Sequence, residues 1–341
     1  MRSEGRRPEA AFLGFGTALP EHTISPEAAQ ATLGRLWPRL RAAAGGELVT
    51  RHSVEPLERV VERRSLGEAM SAYAVHAPRL ARQAACRALE TAGTRPDQVD
   101  MVISVSCTGY LVPSLDVRLA AEIGLRPDVV RLPLTELGCS GGAAALAAAH
   151  RHLAAFPEDR VLVVAVELAS LSFHPGDRSL DNLTASMVFG DGAGAAVLAA
   201  GRRGLRVVAA ESRLLPDSEH VLGFDLRDTG FHVVLDRRLP HLIEPRLGPM
   251  VADFRRRHRV PAPAFYAVHA GGPRIFDAVE SALGVGPADL AVSRAAFRDA
   301  GNLSSASILF SLAALSEGHS GDGLGIAFGP GVTVELLHLR R

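Results

Sequence analysis

A chain of 341 residues with 47% hydrophobic and 22% charged side chains is large enough for two lobes around a buried core and has a soluble, globular composition. Its 37 basic and 37 acidic side chains cancel, so the basic footprint of a nucleic-acid binder is missing; every basic residue is Arg, which excludes Schiff-base lysine chemistry. Three cysteines, Cys86, Cys107 and Cys139, with no CxxC spacing, argue against a disulfide framework or a zinc site and suit a reducing compartment.

The chain opens on MRSEGRRPEAAFLGFG, which has no apolar signal core, and no apolar run is long enough to span a bilayer. A cytoplasmic protein is expected. A helix is predicted over 79–92, then a buried strand over 99–105 (VDMVISV) running into Ser106-Cys107-Thr108-Gly109. Next comes Cys139 in LGCSGGAAALAAA. Its glycines permit a tight turn and its alanines favour a helix over 141–154. Strands follow at 160–166 (RVLVVAV) and 193–198 (AGAAVL), the second entered through Phe189-Gly190-Asp191-Gly192-Ala193-Gly194. That glycine run resembles a phosphate loop, but no Lys follows and no helix obviously opens there, so it reads as a turn. Later strands are expected at 265–269 (FYAVH), 325–328 (GIAF) and 332–337 (VTVELL). Strands alternating with helices predict a layered α/β fold.

An internal echo divides the chain. A strand ends at Cys107 and a Gly-led turn at Cys139 opens a helix; later a strand ends at His269 and a Gly-led turn at Asn302 does the same. The separations match, 32 residues (139 − 107) and 33 residues (302 − 269). Two copies of one α/β unit are expected, 1–200 and 201–341, facing each other across a shared site. A Cys at a helix N-terminus is expected to have a lowered thiol pKa, because unpaired N–H groups and the dipole favour a thiolate. His269 would hold that thiolate as an ion pair and donate Nε2–H to a thioester oxygen. Asn302 would supply the second donor to the same oxyanion, although Asn also serves as an ordinary helix cap. Asp116, Asp177 and Asp181 show no metal-ligand spacing, and no metal is expected.

These residues resemble a known family. From about Arg51 to Leu337 the chain is similar to type III polyketide synthases, the chalcone synthase-like group. Cys139, His269 and Asn302 stand at that family's nucleophile, His and Asn. Phe328-Gly329-Pro330-Gly331 matches its C-terminal signature, with Ala327 in place of the first Gly. Phe173 and Phe231 fall at its two gatekeeper phenylalanines. RHSVEPLE, SCTGYLVPSLD, LRDTGFHVVLD and HAGGPRIFD resemble the bacterial tetrahydroxynaphthalene synthases, in which Cys107 stands at a second, pocket-lining Cys.

The resemblance implies a five-layered αβαβα thiolase-like fold, a homodimer, and CoA thioester substrates with no further cofactor. It implies decarboxylative Claisen condensation of malonyl-CoA onto a Cys139 thioester, followed by cyclisation to an aromatic product such as 1,3,6,8-tetrahydroxynaphthalene. Cys107, Thr108, Val112 and Phe224 would shape the pocket, Val112 by approaching the neighbouring subunit. Arg35, Arg39 and Arg41 would meet the CoA phosphates, since Arg forks suit phosphate oxygens. Phe224 replaces a Tyr associated with a malonyl starter, and the segment Phe173-His174-Pro175-Gly176 also departs from the pattern. A fatty acyl starter giving an alkylresorcinol or alkylpyrone is therefore a rival. A ketoacyl-carrier-protein synthase, an inactive CoA-thioester binder and a cysteine hydrolase, which the gatekeeper rings would oppose by excluding water, are the remaining readings.

Overall fold

Apolar residues on both faces of a strand require a layer on each side, and the segments Met101–Val105 and Arg160–Leu168 are apolar at every position except Ser104, Arg160 and Glu167. The computed structural model describes residues 8–38, 49–315 and 318–341. The strands are β1 (Ala10–Ala18), β2 (His22–Ile24), β3 (Arg51–Ser53), β4 (Met101–Val105), β5 (Val130–Leu134), β6 (Arg160–Leu168) and β7 (Asp191–Ala200), then β8 (Arg206–Leu214), β9 (Leu222–Arg227), β10 (Gly230–Leu235), β11 (Phe265–Val268), β12 (Asp322–Gly329) and β13 (Thr333–Arg340). Nine of them form one mixed sheet in the order β11-β12-β13-β8-β1-β7-β6-β4-β5. The pairs β2–β3 and β9–β10 stand apart.

The sheet is two half-sheets joined at one weak seam, where β1 meets β8 through the pairs Ala10–Val207 and Ala11–Arg206 and a bond from the Phe12 N–H to the Leu205 carbonyl at 2.9 Å. On one side β4 is parallel to β6, β6 antiparallel to β7, and β7 antiparallel to β1. On the other, β11 is parallel to β12, β12 antiparallel to β13, and β13 antiparallel to β8. The pairing pattern repeats, as the matched spacing in the sequence implied. The N-terminal side adds β5, parallel to β4.

Side-chain alternation sorts the core into layers. Met101, Ile103, Val105, Val161 and Val163 pack inward with the helices Gly141–Ala155 and Ser307–Ala313, as do Ala327 and Leu337 from the other half. Val102, Leu162 and Val164 face outward onto the alanine stripe of the helix Leu66–Ala92. Leu324, Ile326 and Leu336 face the opposite outer layer, built from the helices Leu239–His258 and Pro273–Leu283. The result is the thiolase-like order of helix, sheet, central helices, sheet, helix. The helix Leu66–Ala92 extends well N-terminal of the predicted 79–92, starting at a Ser65–Glu68 capping box. Among the described residues, no helix is long and apolar enough to cross a membrane.

Candidate active site

The two central helices begin at the middle of the molecule, and the site forms where they begin. Cys139 sits in a 3-10 turn, Gly138–Ser140, that leads directly into the helix Gly141–Ala155. The turn is held from behind by the C-terminal half. Gly138 has a left-handed backbone (φ 52°), and a Cβ there would stand 2.5 Å from the Pro330 ring. A Cβ at Gly329 would collide with Ser140 Oγ and the Leu137 carbonyl. The Phe328–Gly331 signature is therefore a backbone cradle for the nucleophile turn. Gly142 brings the helix start against the Ser305 carbonyl, with no room for a Cβ.

His269 follows β11, its N–H bonded to the Ile326 carbonyl at 2.8 Å. Its Nδ1 is buried without a partner, so Nε2 is the nitrogen the ring can offer to a ligand. Asn302 lies between the helix Ala291–Ala300 and the turn Ser304–Ala306. Its backbone is clamped by the Val188 carbonyl (2.7 Å) and the Gly190 N–H (3.0 Å). Its Oδ1 accepts from the Ser304 N–H at 2.8 Å. Asn302 thus caps the turn with its oxygen and keeps its Nδ2 amino group available.

Cys139, His269 and Asn302 line one cavity of about 310 Å³. Cys139 also borders a second cavity of about 90 Å³, which is lined by Cys107, Thr108, Phe173 and Phe224. Phe189 and Leu222 stand with Cys139 on both walls. The thiol is therefore at the junction of two mostly apolar cavities, the larger of which also carries His269, Asn302 and Arg274.

The electrostatics correct one expectation. Burial pushes the Cys139 thiol up to about 12, opposed by a hydrogen bond with Ser304, and burial pulls the His269 imidazole down to about 4. A helix start favours the thiolate, but removing the group from water costs more than the partial charges of one turn return. Both shifts favour the uncharged thiol and the uncharged imidazole at neutral pH.

Behind the thiol, the buried carboxylate of Glu167 stitches the halves together. It accepts from the Cys107 N–H (3.1 Å), the Thr108 N–H (3.2 Å), Thr108 Oγ1 (2.8 Å) and Ser305 Oγ. Cys107 Sγ also lies 3.4 Å from Glu167 Oε1 and 3.3 Å from Ser304 Oγ. Burial first, and the Glu167 charge second, push the Cys107 thiol well above its usual value.

Several expected residues sit elsewhere. Phe231 lines neither cavity; its ring lies edge-on to Phe224 at 5.8 Å. Val112 is 79% exposed. Arg35 is exposed at the end of the helix Pro26–Leu36, donates to Thr32 Oγ1 at 3.3 Å and lines neither cavity. Arg39 and Arg41 lie outside the described residues. The arginines on the larger cavity are Arg237 and Arg274, and the sequence reading gave neither a role. It also passed over Phe189 as part of a turn, and over Glu167, although an acid ending the apolar run RVLVVAV is a readable sign of a buried charge.

Comparison with known proteins agrees with this geometry. The family model described as the N-terminal domain of chalcone and stilbene synthases matches residues 55–202, and that of their C-terminal domain matches residues 206–341. The chain is 36% identical over 304 residues to a 1,3,6,8-tetrahydroxynaphthalene synthase of Streptomyces griseus, covering 87% of this chain and 82% of that one. It is 38% identical over 314 residues to the synthase of the same name from Streptomyces peucetius, covering 89% and 82%. The crystal structure of the Streptomyces coelicolor 1,3,6,8-tetrahydroxynaphthalene synthase, a bacterial type III polyketide synthase, superposes with a TM-score of 0.91 at 34% identity, over 97% of this chain and 99% of that one.

Proposed function

The chain belongs to the chalcone and stilbene synthase family and is a type III polyketide synthase, and from that premise we propose that it condenses malonyl-CoA units on Cys139 into a short aromatic polyketide of the tetrahydroxynaphthalene kind. The observation that carries this reading is the placement of Cys139 between two unequal cavities, with His269 and Asn302 on the larger one.

Loading begins when Cys139 passes its proton to His269 and attacks the thioester carbonyl. A new C–S bond forms, and CoA leaves as its thiolate, which takes a proton from solvent, while His269 keeps the proton on Nε2. A malonyl-CoA in the larger cavity then loses CO₂. The electron pair of the broken C–C bond becomes an enolate, whose oxygen accepts from His269 Nε2–H and Asn302 Nδ2–H. The enolate carbon attacks the Cys139 thioester, a C–C bond forms, and the Cys139 thiolate departs. The lengthened acyl-CoA reloads Cys139 for the next round. Arg237 and Arg274, at the wall of the larger cavity, suit the CoA phosphates.

The smaller cavity argues against a long alkyl starter. At about 90 Å³ it is smaller than an engineered cavity of about 150 Å³ that admits benzene. A short acyl group fits beside Cys107 and Thr108, whereas a longer chain would have to extend into the larger cavity that Cys139 also borders. The protein acts as a homodimer in this reading, Val112 and Tyr110, 79% and 59% exposed, being covered by a second copy. Its free cysteines suit the cytoplasm.

The test is incubation with labelled malonyl-CoA, alone and with a panel of acyl-CoA starters, beside a Cys139→Ala control, with products identified by mass spectrometry. A pentaketide naphthalene from malonyl-CoA alone supports the proposal. Product only with long-chain acyl-CoA moves the assignment to an alkylresorcinol or alkylpyrone synthase. Absence of any Cys139-dependent product sinks it.

A further inference from the structure

The smaller cavity contains a cation that the condensation chemistry above does not use. Arg51, on β3, is 5% exposed and lines that cavity together with Cys139. Its stem is fixed by close backbone: a Cβ at Gly301 would stand 3.0 Å from Arg51 Cγ, and one at Gly190 would stand 3.4 Å from Arg51 Cβ. Its head is not fixed. Nε is buried with no hydrogen-bond partner, and among the described residues no carboxylate forms an ion pair with it.

The neighbours do not supply the missing anion. Among the described residues, no Asp or Glu lines this cavity. Glu55 is paired with Arg64 at 2.5 Å. Asp191 is committed to the Val54 N–H, the Ser170 N–H and Ser170 Oγ, at 2.9, 2.8 and 2.6 Å. Burial lowers the Arg51 guanidinium to about 10, which leaves it charged at neutral pH. Removing a charge from water without a partner is costly, and a guanidinium fork is shaped for a carboxylate. The cavity meets Cys139 and is too small for a long chain, so an anion in it would be the far end of a short group attached to that sulfur.

We infer that Arg51 is the binding residue for the terminal carboxylate of a short dicarboxylic acyl group held as a thioester on Cys139, so that the synthase favours acid-ended starters over neutral ones. The inference rests on the reading of Cys139 as the acyl acceptor. It gives the acid end of a starter a polar partner in a pocket where Phe224 offers none.

The experiment measures acyl-enzyme formation on the full chain by intact-protein mass spectrometry, with succinyl-CoA and its neutral isostere 4-methylpentanoyl-CoA supplied separately. Neither can be extended without malonyl-CoA, so loading alone is read. Wild type is expected to load the succinyl group faster. Arg51→Met is expected to lower the succinyl-to-isostere ratio about tenfold or more, the equivalent of one charge-assisted pair, with Arg51→Lys intermediate. An unchanged ratio in a folded Arg51→Met overturns the inference, and so does a wild type that prefers the neutral isostere. The wild-type ratio and the Arg51→Lys variant decide the matter if Arg51→Met fails to fold. If Cys139 accepts neither group in wild type, the acyl-acceptor reading fails and takes this inference with it.

Discussion

The N-terminal half ends β4 in Ser106-Cys107-Thr108 and opens its central helix behind Cys139; the C-terminal half ends β11 in His269 and opens its central helix behind Asn302. The backbones are counterparts, each with a parallel strand pair, an antiparallel return and a short 3-10 turn before the helix. The chemistry is divided between them. One half offers thiols, and the other offers N–H donors. The device that brings loop and helix start to one point is purely a backbone matter, and what the point can do is decided by four side chains. Glu167 and the Gly142–Ser305 contact then lock the halves in register.

Breaking the thiol side has the largest effect. Cys139→Ala is expected to abolish acyl-enzyme and product, a loss of at least about a thousandfold in kcat, with an unchanged melting temperature. Single-turnover assays beside thermal denaturation check it. Breaking the donor side costs less per residue. His269→Ala and Asn302→Ala should each slow malonyl-CoA decarboxylation by about 10²–10³, the usual worth of one oxyanion donor. The double variant should fall short of the product of the two, because they serve one oxygen. The release of labelled CO₂ reads this directly.

The seam itself can be broken without touching either side's chemistry. Gly142→Ala places a methyl against the Ser305 carbonyl and must push the two central helix starts apart, at about 2 kcal/mol. Urea titration should show a lower midpoint with an unchanged slope. A midpoint equal to wild type would mean that the halves slide past each other freely.

How much of this could be read in advance depends on how local the cause is. β4 and β6 announce themselves as apolar runs, and the turns at Cys139 and Asn302 as glycine-led entries to helices. The matched spacing places their side chains opposite each other. β1 was missed because AAFLGFGTA mixes glycine with apolar residues, and its strand state comes from pairing with β7, far along the chain. The hairpin β9–β10 was missed because it is half exposed and has no buried run. The thiol's protonation was misjudged for a related reason. A helix start is visible in a few residues, whereas the burial that outweighs it is contributed by the opposite half. Arg51 stands in the sequence only as part of RHSVEPLE, since nothing nearby in the chain says that a guanidinium will be left unpaired.

The finest separation of the two halves is a difference between two buried thiols. Burial raises both Cys139 and Cys107, so both are protonated at neutral pH and both should alkylate faster as pH climbs from 7 to 9. Their neighbours differ. The Glu167 charge disfavours both thiolates, but Cys107 Sγ also lies against that carboxylate, at 3.4 Å. Cys139 shares its cavity with a neutral imidazole that can take its proton. Iodoacetamide should therefore label exposed Cys86 first, Cys139 next and Cys107 last, read by peptide mass spectrometry. His269→Ala should slow labelling of Cys139 about tenfold and leave Cys107 unchanged. Equal slowing at both would trace the effect to disturbed packing instead of a lost base. If neither thiol slowed, the proton of Cys139 would have another acceptor, and the division of chemistry between the halves would fail at its most exacting point.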